Sequence, residues 1–191
     1  PTGGTMHHIY SANSTTLTST ALPTTTTAIR TLSSGGTFVY NTITSTTGNG
    51  AGSTVPVNCI YVYYLGGSFN ISNNSITFAS NNGAAANGSA MYGIYNYFTG
   101  DGGAGSFNYV KNNSITGTFA HSSTFYGIYN YGYNMVTNEF SGNTCINLTR
   151  NLSTTGASYL FTNYSSTSYL LAGGTCNIFN NVISTITMNN T

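Results

Sequence analysis

A chain of 191 residues with three Lys plus Arg, two acids and a formal charge of +1 lacks the basic surface needed to neutralise nucleic-acid phosphates. Thr (33), Asn (26), Ser (23) and Gly (23) make up more than half of it, Gln and Trp are absent, and only 3% of residues are charged, against roughly a quarter in ordinary soluble domains. Yet 39% are hydrophobic and 14% aromatic, which supplies a core and excludes a disordered polar tract, while no apolar run reaches the ~18 residues of a membrane span.

No charged-then-apolar leader opens the chain, so it reads as a mature segment or one excised from something longer. His7-His8-Ile9-Tyr10 begins a repeated element, and the stretch from Thr15 to Thr27 reads as extra loop, making residues 1–35 an irregular Thr-rich first coil. From 36 to 191 the repeats are regular. Gly35-Gly36 precedes Asn41-Thr42-Ile43-Thr44; Asn58-Cys59-Ile60-Tyr61-Val62-Tyr63 follows; then come Gly66-Gly67, the alternating Ser68-Phe69-Asn70-Ile71, and Asn73-Asn74-Ser75-Ile76-Thr77. Tyr92-Gly93-Ile94-Tyr95-Asn96-Tyr97 leads through Gly102-Gly103 to Asn112-Asn113-Ser114-Ile115-Thr116. It then returns letter for letter as Tyr126-Gly127-Ile128-Tyr129-Asn130-Tyr131. Asn143-Thr144-Cys145-Ile146, Tyr159-Leu160-Phe161-Thr162-Asn163-Tyr164, Gly173-Gly174 and Asn180-Asn181-Val182-Ile183-Ser184 complete the series.

Short runs of Thr, Tyr, Ile, Val and Phe between Gly/Asn/Ser clusters are strands, not the helices of other repeats of this length. Only two or three strands fit in each repeat, too few for a propeller blade. The expected fold is therefore all-β: a right-handed parallel β-helix of about five coils, each of 30–39 residues with variable loops, forming one segment over 1–191. Equivalent residues then stack ~4.8 Å apart. Ile60, Ile94, Ile128 and Phe161 form one inward column, and Ile43, Ile76, Ile115, Cys145 and Ile183 another. Asn41, Asn74, Asn113, Asn143 and Asn181 fall at a corner, where Asn tolerates left-handed backbone and its amide satisfies turn groups.

The phrases Gly-Ser-Phe-Asn-Ile-Ser-Asn-Asn-Ser-Ile-Thr (67 to 77) and Tyr-Gly-Ile-Tyr-Asn-Tyr resemble the Asn/Ser/Thr/Gly-rich β-helix repeats of very large surface proteins of the Bacteroidota. The resemblance spans most of residues 36 to 191. It implies an extracellular or cell-surface location, export by type IX secretion, and an adhesin-like role.

The chemistry of catalysis is thinly supplied. Glycosidic cleavage needs paired carboxylates, and Asp101, in a Gly-rich turn, and Glu139, in a strand-like run, are the two acids. His7 and His8 point to opposite faces of a strand and His121 is remote, so no metal or cofactor is expected; the histidines read as loop or surface imidazoles. Cys59, Cys145 and Cys176 fall at repeat positions matching Gly93, Ile115 and Phe69, and read as core packing. No catalytic residue is assigned.

The outward faces carry what remains. Alternation turns Tyr61, Tyr95, Tyr129 and Thr162 outward beside Tyr63, Tyr97, Tyr131 and Tyr164. This strip serves either as stacking that stabilises the solenoid or as a binding surface for glycans or another surface protein. A second strip, Thr42, Ser75, Ser114, Thr144 and Val182 beside Thr44, Thr77, Thr116, Ile146 and Ser184, resembles ice-binding solenoids, but Val182 and Ile146 interrupt it. The expected function is a non-enzymatic structural or adhesive segment of a surface fibre. Its expected partners are other coils or subunits of that fibre, without nucleic acid or membrane insertion. The last coil, Ile186 to Thr191, ends in repeat-like sequence without a polar cap, from which a further coil, on this chain or a partner, is expected to continue the stack.

Overall fold

The structure, a computed structural model, describes residues 6–7, 16–19, 26–31, 36–39, 42–45, 57–65, 68–80, 90–99, 106–121, 123–133, 135–151, 156–164 and 170–189. These residues form β1 (Met6–His7), β2 (Thr16–Ser19), β3 (Thr26–Thr31), β4 (Gly36–Val39), β5 (Thr42–Ser45), β6 (Val57–Leu65), β7 (Phe69–Ser72), β8 (Ser75–Ser80) and β9 (Met91–Thr99). The series continues with β10 (Phe107–Lys111), β11 (Ser114–Ala120), β12 (Phe125–Tyr133), β13 (Met135–Ser141), β14 (Thr144–Asn151), β15 (Ser158–Asn163), β16 (Leu170–Phe179) and β17 (Val182–Asn189).

The strands are sorted into three parallel sheets. The first runs β1-β3-β6-β9-β12-β15, the second β4-β7-β10-β13-β16 and the third β2-β5-β8-β11-β14-β17. From β3 onward the chain visits them in turn, so each circuit adds one strand to every sheet, which makes the molecule a parallel β-helix. Both apolar columns stack as expected. Ile60, Ile94, Ile128 and Phe161 are successive partners, as are Ile43, Ile76, Ile115, Cys145 and Ile183. All but Ile183 join Ile71, Phe78, Val110, Phe119, Phe125 and Phe140 in the interior.

The first coil departs from expectation. Thr16–Ser19 is not loop but a strand of the third sheet, in register with Thr42–Ser45, with Leu17 opposite Ile43. Thr26–Thr31 likewise joins the first sheet, with Ile29 opposite Ile60. The first and third sheets therefore hold six strands, one level more than five coils supply. Thr is β-branched and packs well on a pleated surface, so Thr-Leu-Thr alternation builds strand where a polar reading sees loop.

At the other end of the stack the same columns come to the surface. Ile178 and Ile183 are 57% and 52% exposed, although their partners Phe140 and Cys145 one coil earlier are buried, and Phe179 and Val182 beside them are exposed as well.

Candidate functional site

The site begins with the corner that fixes the register. The residues between the second and third sheets, Asn74, Asn113, Asn143 and Asn181, form a ladder in which the Oδ1 of Asn113, of Asn143 and of Asn181 each accepts two bonds from the coil before it. Asn74 donates N–H and Nδ2 to Asn113 Oδ1 (3.1 and 2.8 Å), Asn113 donates both to Asn143 (3.1 and 3.0 Å), and Asn143 both to Asn181 (3.0 Å each). The second amide hydrogen reaches across the corner: Asn113 to Ile71 O, Asn143 to Val110 O and Asn181 to Phe140 O, each 2.9 Å. Asn41 lies outside the described residues. The expected left-handed backbone, however, belongs to the residue before each ladder position. Asn73 (φ 58°), Asn112 (52°), Gly142 (63°) and Asn180 (54°) adopt it, because the turn itself sits there while the ladder residue has already begun the next strand. The doubled Asn-Asn thus divides into a turn former and a ladder former.

A second amide ladder runs through the core, and sequence reasoning missed it. Asn96 and Asn130 of the first sheet face Asn108 and Asn138 of the second, all with no exposed surface. Asn96 Nδ2 reaches Asn108 and Asn130 Oδ1 (2.9 and 2.7 Å), Asn108 Nδ2 reaches Asn130 and Asn138 (3.0 and 2.9 Å), and Asn130 Nδ2 reaches Asn163 (2.7 Å). The cross-links tie two sheets together. They also end abruptly: the coil before Asn96 offers Val62 at the same register, and no donor among the described residues meets Asn96 Oδ1. The signal in the sequence was the shared Asn of Tyr-Asn-Tyr, which alternation about Ile94 placed inward.

The core ladder lines the inner side of the first sheet, and the outer face of that sheet is tyrosine. The expected columns are present. Tyr61, Tyr95 and Tyr129 stack at 5.1 and 5.2 Å between centroids, and Tyr97 stacks on Tyr131 at 4.8 Å. Tyr164 caps both, 5.6 Å from Tyr129 and 5.8 Å from Tyr131. Tyr63 pairs with Tyr97 in the backbone register, and its side chain is outside the described residues. A third column, Tyr92, Tyr126 and Tyr159 (4.8 and 5.0 Å), was not foreseen. Strict alternation would put it inward with Gly93 as spacer, but the strand is irregular there, so Gly93 and Ile94 are both buried and Tyr92 and Tyr95 both face out. In these two coils glycine is required at that step: a Cβ on Gly93 would lie 2.5 Å from Gly127 O, and one on Gly127 2.5 Å from Leu160 O.

The geometry defines the surface further. Parallel rings 4.8–5.2 Å apart whose carbon layers touch at about 3.5 Å must be tilted roughly 45° to the stacking direction. Two columns tilted in opposite senses then meet near a right angle, and the Tyr92–Tyr95, Tyr92–Tyr129 and Tyr126–Tyr129 pairs cross at 80°, 82° and 85°. The face is a herringbone in which the rings of each column cover one another's faces and meet the next column edge to face. Burial, then the neighbouring phenols, push the Tyr92 hydroxyl up to about 12 and raise those of Tyr95, Tyr126 and Tyr129.

The remaining candidates are dispersed. Glu139 lies on β13, 3.6 Å from Lys111 Nζ, and accepts a 2.7 Å bond from Ser141 Oγ; Asp101 is outside the described residues, as is the side chain of His7. His121 is not a surface imidazole: it is 2% exposed, because it continues the alternation of buried Phe119 and half-buried Ala120 at the end of β11. Cys59 and Cys145 are buried free thiols pushed up to about 12 by burial, and Cys176 is free and half-buried, in register with Asn138. Among the described residues no three His, Cys, Asp or Glu side chains converge. The hydroxyl strip is interrupted in its backbone as well as its sequence, since the register slips between Ile115 and Gly117.

Arg150 is the one large surprise of the interior. It is fully buried in the column of Phe119 and Met188. Its guanidinium donates to His121 O (3.0 Å), Gly156 O (3.0 Å), Ala157 O (3.1 Å), Ser158 Oγ (2.6 Å) and Ser123 O. Burial lowers its pKa. It works as a pin that gathers the carbonyls of two consecutive turns.

No protein family, curated protein or solved structure matched the chain.

Proposed function

We propose that this chain is a non-enzymatic structural and adhesive solenoid, a segment of an extracellular cell-surface fibre. The observation that carries the reading is the continuity of its ladders. Buried amides, core amides and tyrosines each repeat coil after coil in register, so the recurring side chains serve mainly to lock one coil to the next. Such an object resists local opening, because every coil between the two ends of the stack is held on both sides. The glycan-binding alternative is less favoured by the herringbone, in which the aromatic faces that would stack on sugar rings are covered by neighbouring tyrosines. Ice binding is less favoured by the slipped register of the hydroxyl strip.

The test is location and loss. Fractionation and external proteolysis of intact cells that produce the chain should find it exposed outside the membrane. Removing residues 36–191 from its parent should reduce attachment to surfaces without stopping export. A cytosolic chain, inaccessible to external protease, would overturn the proposal.

A further inference from the structure

The tyrosine face is arranged for a covalent reaction as well as for packing. Its rungs bring phenols from different coils into parallel contact: Tyr92 and Tyr126 at 4.8 Å and 4°, Tyr97 and Tyr131 at 4.8 Å and 5°, Tyr95 and Tyr129 at 5.2 Å and 4°, Tyr126 and Tyr159 at 5.0 Å and 15°. The members of each pair occupy the same position in adjacent, hydrogen-bonded strands, so coupling them requires the rings to tilt but leaves the backbone in place. All of them are half-buried or exposed and therefore within reach of an oxidant. Competing sinks are few. The chain has no Trp, Cys59, Cys145, Met91 and Met135 are buried in the core, and the accessible sulfur among the described side chains is Met188, 38% exposed, and the half-buried Cys176. Cys59, Cys145 and Cys176 form no disulfide, and the tyrosine rungs are where neighbouring coils hold oxidisable groups in contact.

We infer that this face is a site of oxidative cross-linking, in which a peroxidase-type one-electron oxidant working with hydrogen peroxide couples tyrosines of neighbouring coils into dityrosine. Each phenol gives up one electron and its hydroxyl proton. The two phenoxyl radicals join through a bond between ring carbons ortho to oxygen. The hydrogens on those carbons move to the oxygens, restoring two aromatic phenols. Two electrons and two protons have then left the pair, and they reduce one hydrogen peroxide to two waters. The product staples one coil to the next, closing a loop of chain that the unfolded state would otherwise explore. The inference concerns the chain's own chemistry and stands whether or not the fibre reading above holds.

The experiment treats the dilute, folded 191-residue chain with peroxidase and limiting hydrogen peroxide. It follows dityrosine fluorescence, intact mass and the identity of cross-linked peptides. The expected product is a monomer lighter by two hydrogens per link, with links confined to neighbours within a column, and with an unfolding midpoint in urea above that of untreated protein. A variant carrying Tyr126→Phe, Tyr129→Phe and Tyr131→Phe keeps the stacked rings but removes the phenols of the middle coil, and should lose most of the intrachain links while circular dichroism stays unchanged. Chain unfolded in urea before treatment should lose the column selectivity. Absence of dityrosine, links mainly between separate chains, an undiminished yield in the triple variant, or the same pairs formed in urea would each overturn the inference.

Discussion

Replacing Asn113 tests whether the corner ladder or merely the turn sets the coil. Asn113 is wholly buried, accepts from Asn74 N–H and Nδ2, and donates to Asn143 Oδ1 and Ile71 O. Leu has nearly its shape, so Asn113→Leu removes the four bonds with little change in packing. Asn74 N–H and Ile71 C=O then lose these partners in a dry corner, at about 1–3 kcal/mol each. Burial of the apolar side chain returns roughly 1.5–3 kcal/mol, for a net loss on the order of 2 kcal/mol. Asn113→Asp is more informative. Its carboxyl keeps both accepted bonds but faces two acceptors, so it must carry a proton to fit, which raises its folded pKa above the unfolded value of about 3.9. A raised folded pKa means that the variant is at its best below that unfolded value and loses stability as pH rises through the folded one. Urea unfolding followed by circular dichroism between acid and neutral pH should show Asp milder than Leu in acid and worse at neutrality. A difference from wild type that does not change with pH, or a Leu variant within about 0.5 kcal/mol of wild type, would refute the ladder as the source of register.

Gly127→Ala places a Cβ 2.5 Å from Leu160 O and should cost about 1–3 kcal/mol through overpacking; Gly173→Ala, with φ 79° and nothing within 4 Å, should cost only the roughly 1–2 kcal/mol of a left-handed backbone. Thermal unfolding separates the two by the larger drop in Tm for Gly127→Ala. Arg150→Met removes the guanidinium bonds to His121 O, Ser123 O, Gly156 O and Ala157 O, of which Ala157 O keeps the Phe125 N–H, at about 1–3 kcal/mol for each carbonyl that the change leaves without a donor. Arg150→Lys should recover little, since an ammonium cannot reproduce the five-donor fork; equal stability of Lys variant and wild type in urea would refute the pin. In alkali, phenols raised on folding contribute stability that is intact below the unfolded pKa of about 10 and is lost as pH climbs through about 12, where Tyr92 titrates. Absorbance titration should therefore show late-ionising tyrosines released together with the loss of circular dichroism, and uniform titration near 10 in a still-folded chain would contradict this. Cys59 and Cys145 should resist thiol reagents until the chain unfolds, which a mass-resolved labelling time course in urea checks.

Much of this fold was legible because a parallel coil repeats itself. Tyr92 to Tyr97 and Tyr126 to Tyr131 are identical in sequence and identical in place, and the Asn-x-Ile element carries both the corner ladder and the third-sheet column. What stayed hidden depends on departures from period two. Tyr92 and Tyr126 face outward because the strand is irregular at Gly93 and Gly127, a kink that alternation cannot foresee. The interior amides of Asn96 and Asn108 are credible only once two sheets are known to face each other, since a lone buried amide is costly and a paired one is not. Arg150 was unreadable for the same reason: its partners are backbone carbonyls, which carry no mark in the sequence.

The same repetition accounts for the composition with which the chain confronts a reader. In a parallel, in-register stack each side chain sits one strand spacing, ~4.8 Å, from its own kind. A column of like charges would then cost about 1 kcal/mol per rung in water and about 3 kcal/mol at an effective dielectric of 20. Amides, hydroxyls and phenols gain from the same arrangement, because each presents both a donor and an acceptor, or a stacking face, to its copy. The described charges respect the rule. Lys111 and Glu139 stand in neighbouring columns, where register sets them against Ser141 and Tyr109 and leaves them to each other, and Arg150 lies between Phe119 and Met188. The near absence of charge is thus a consequence of how the coils stack before it is a property of any surroundings, and Asn, Thr and Tyr are abundant because they are the polar residues that can pair with themselves.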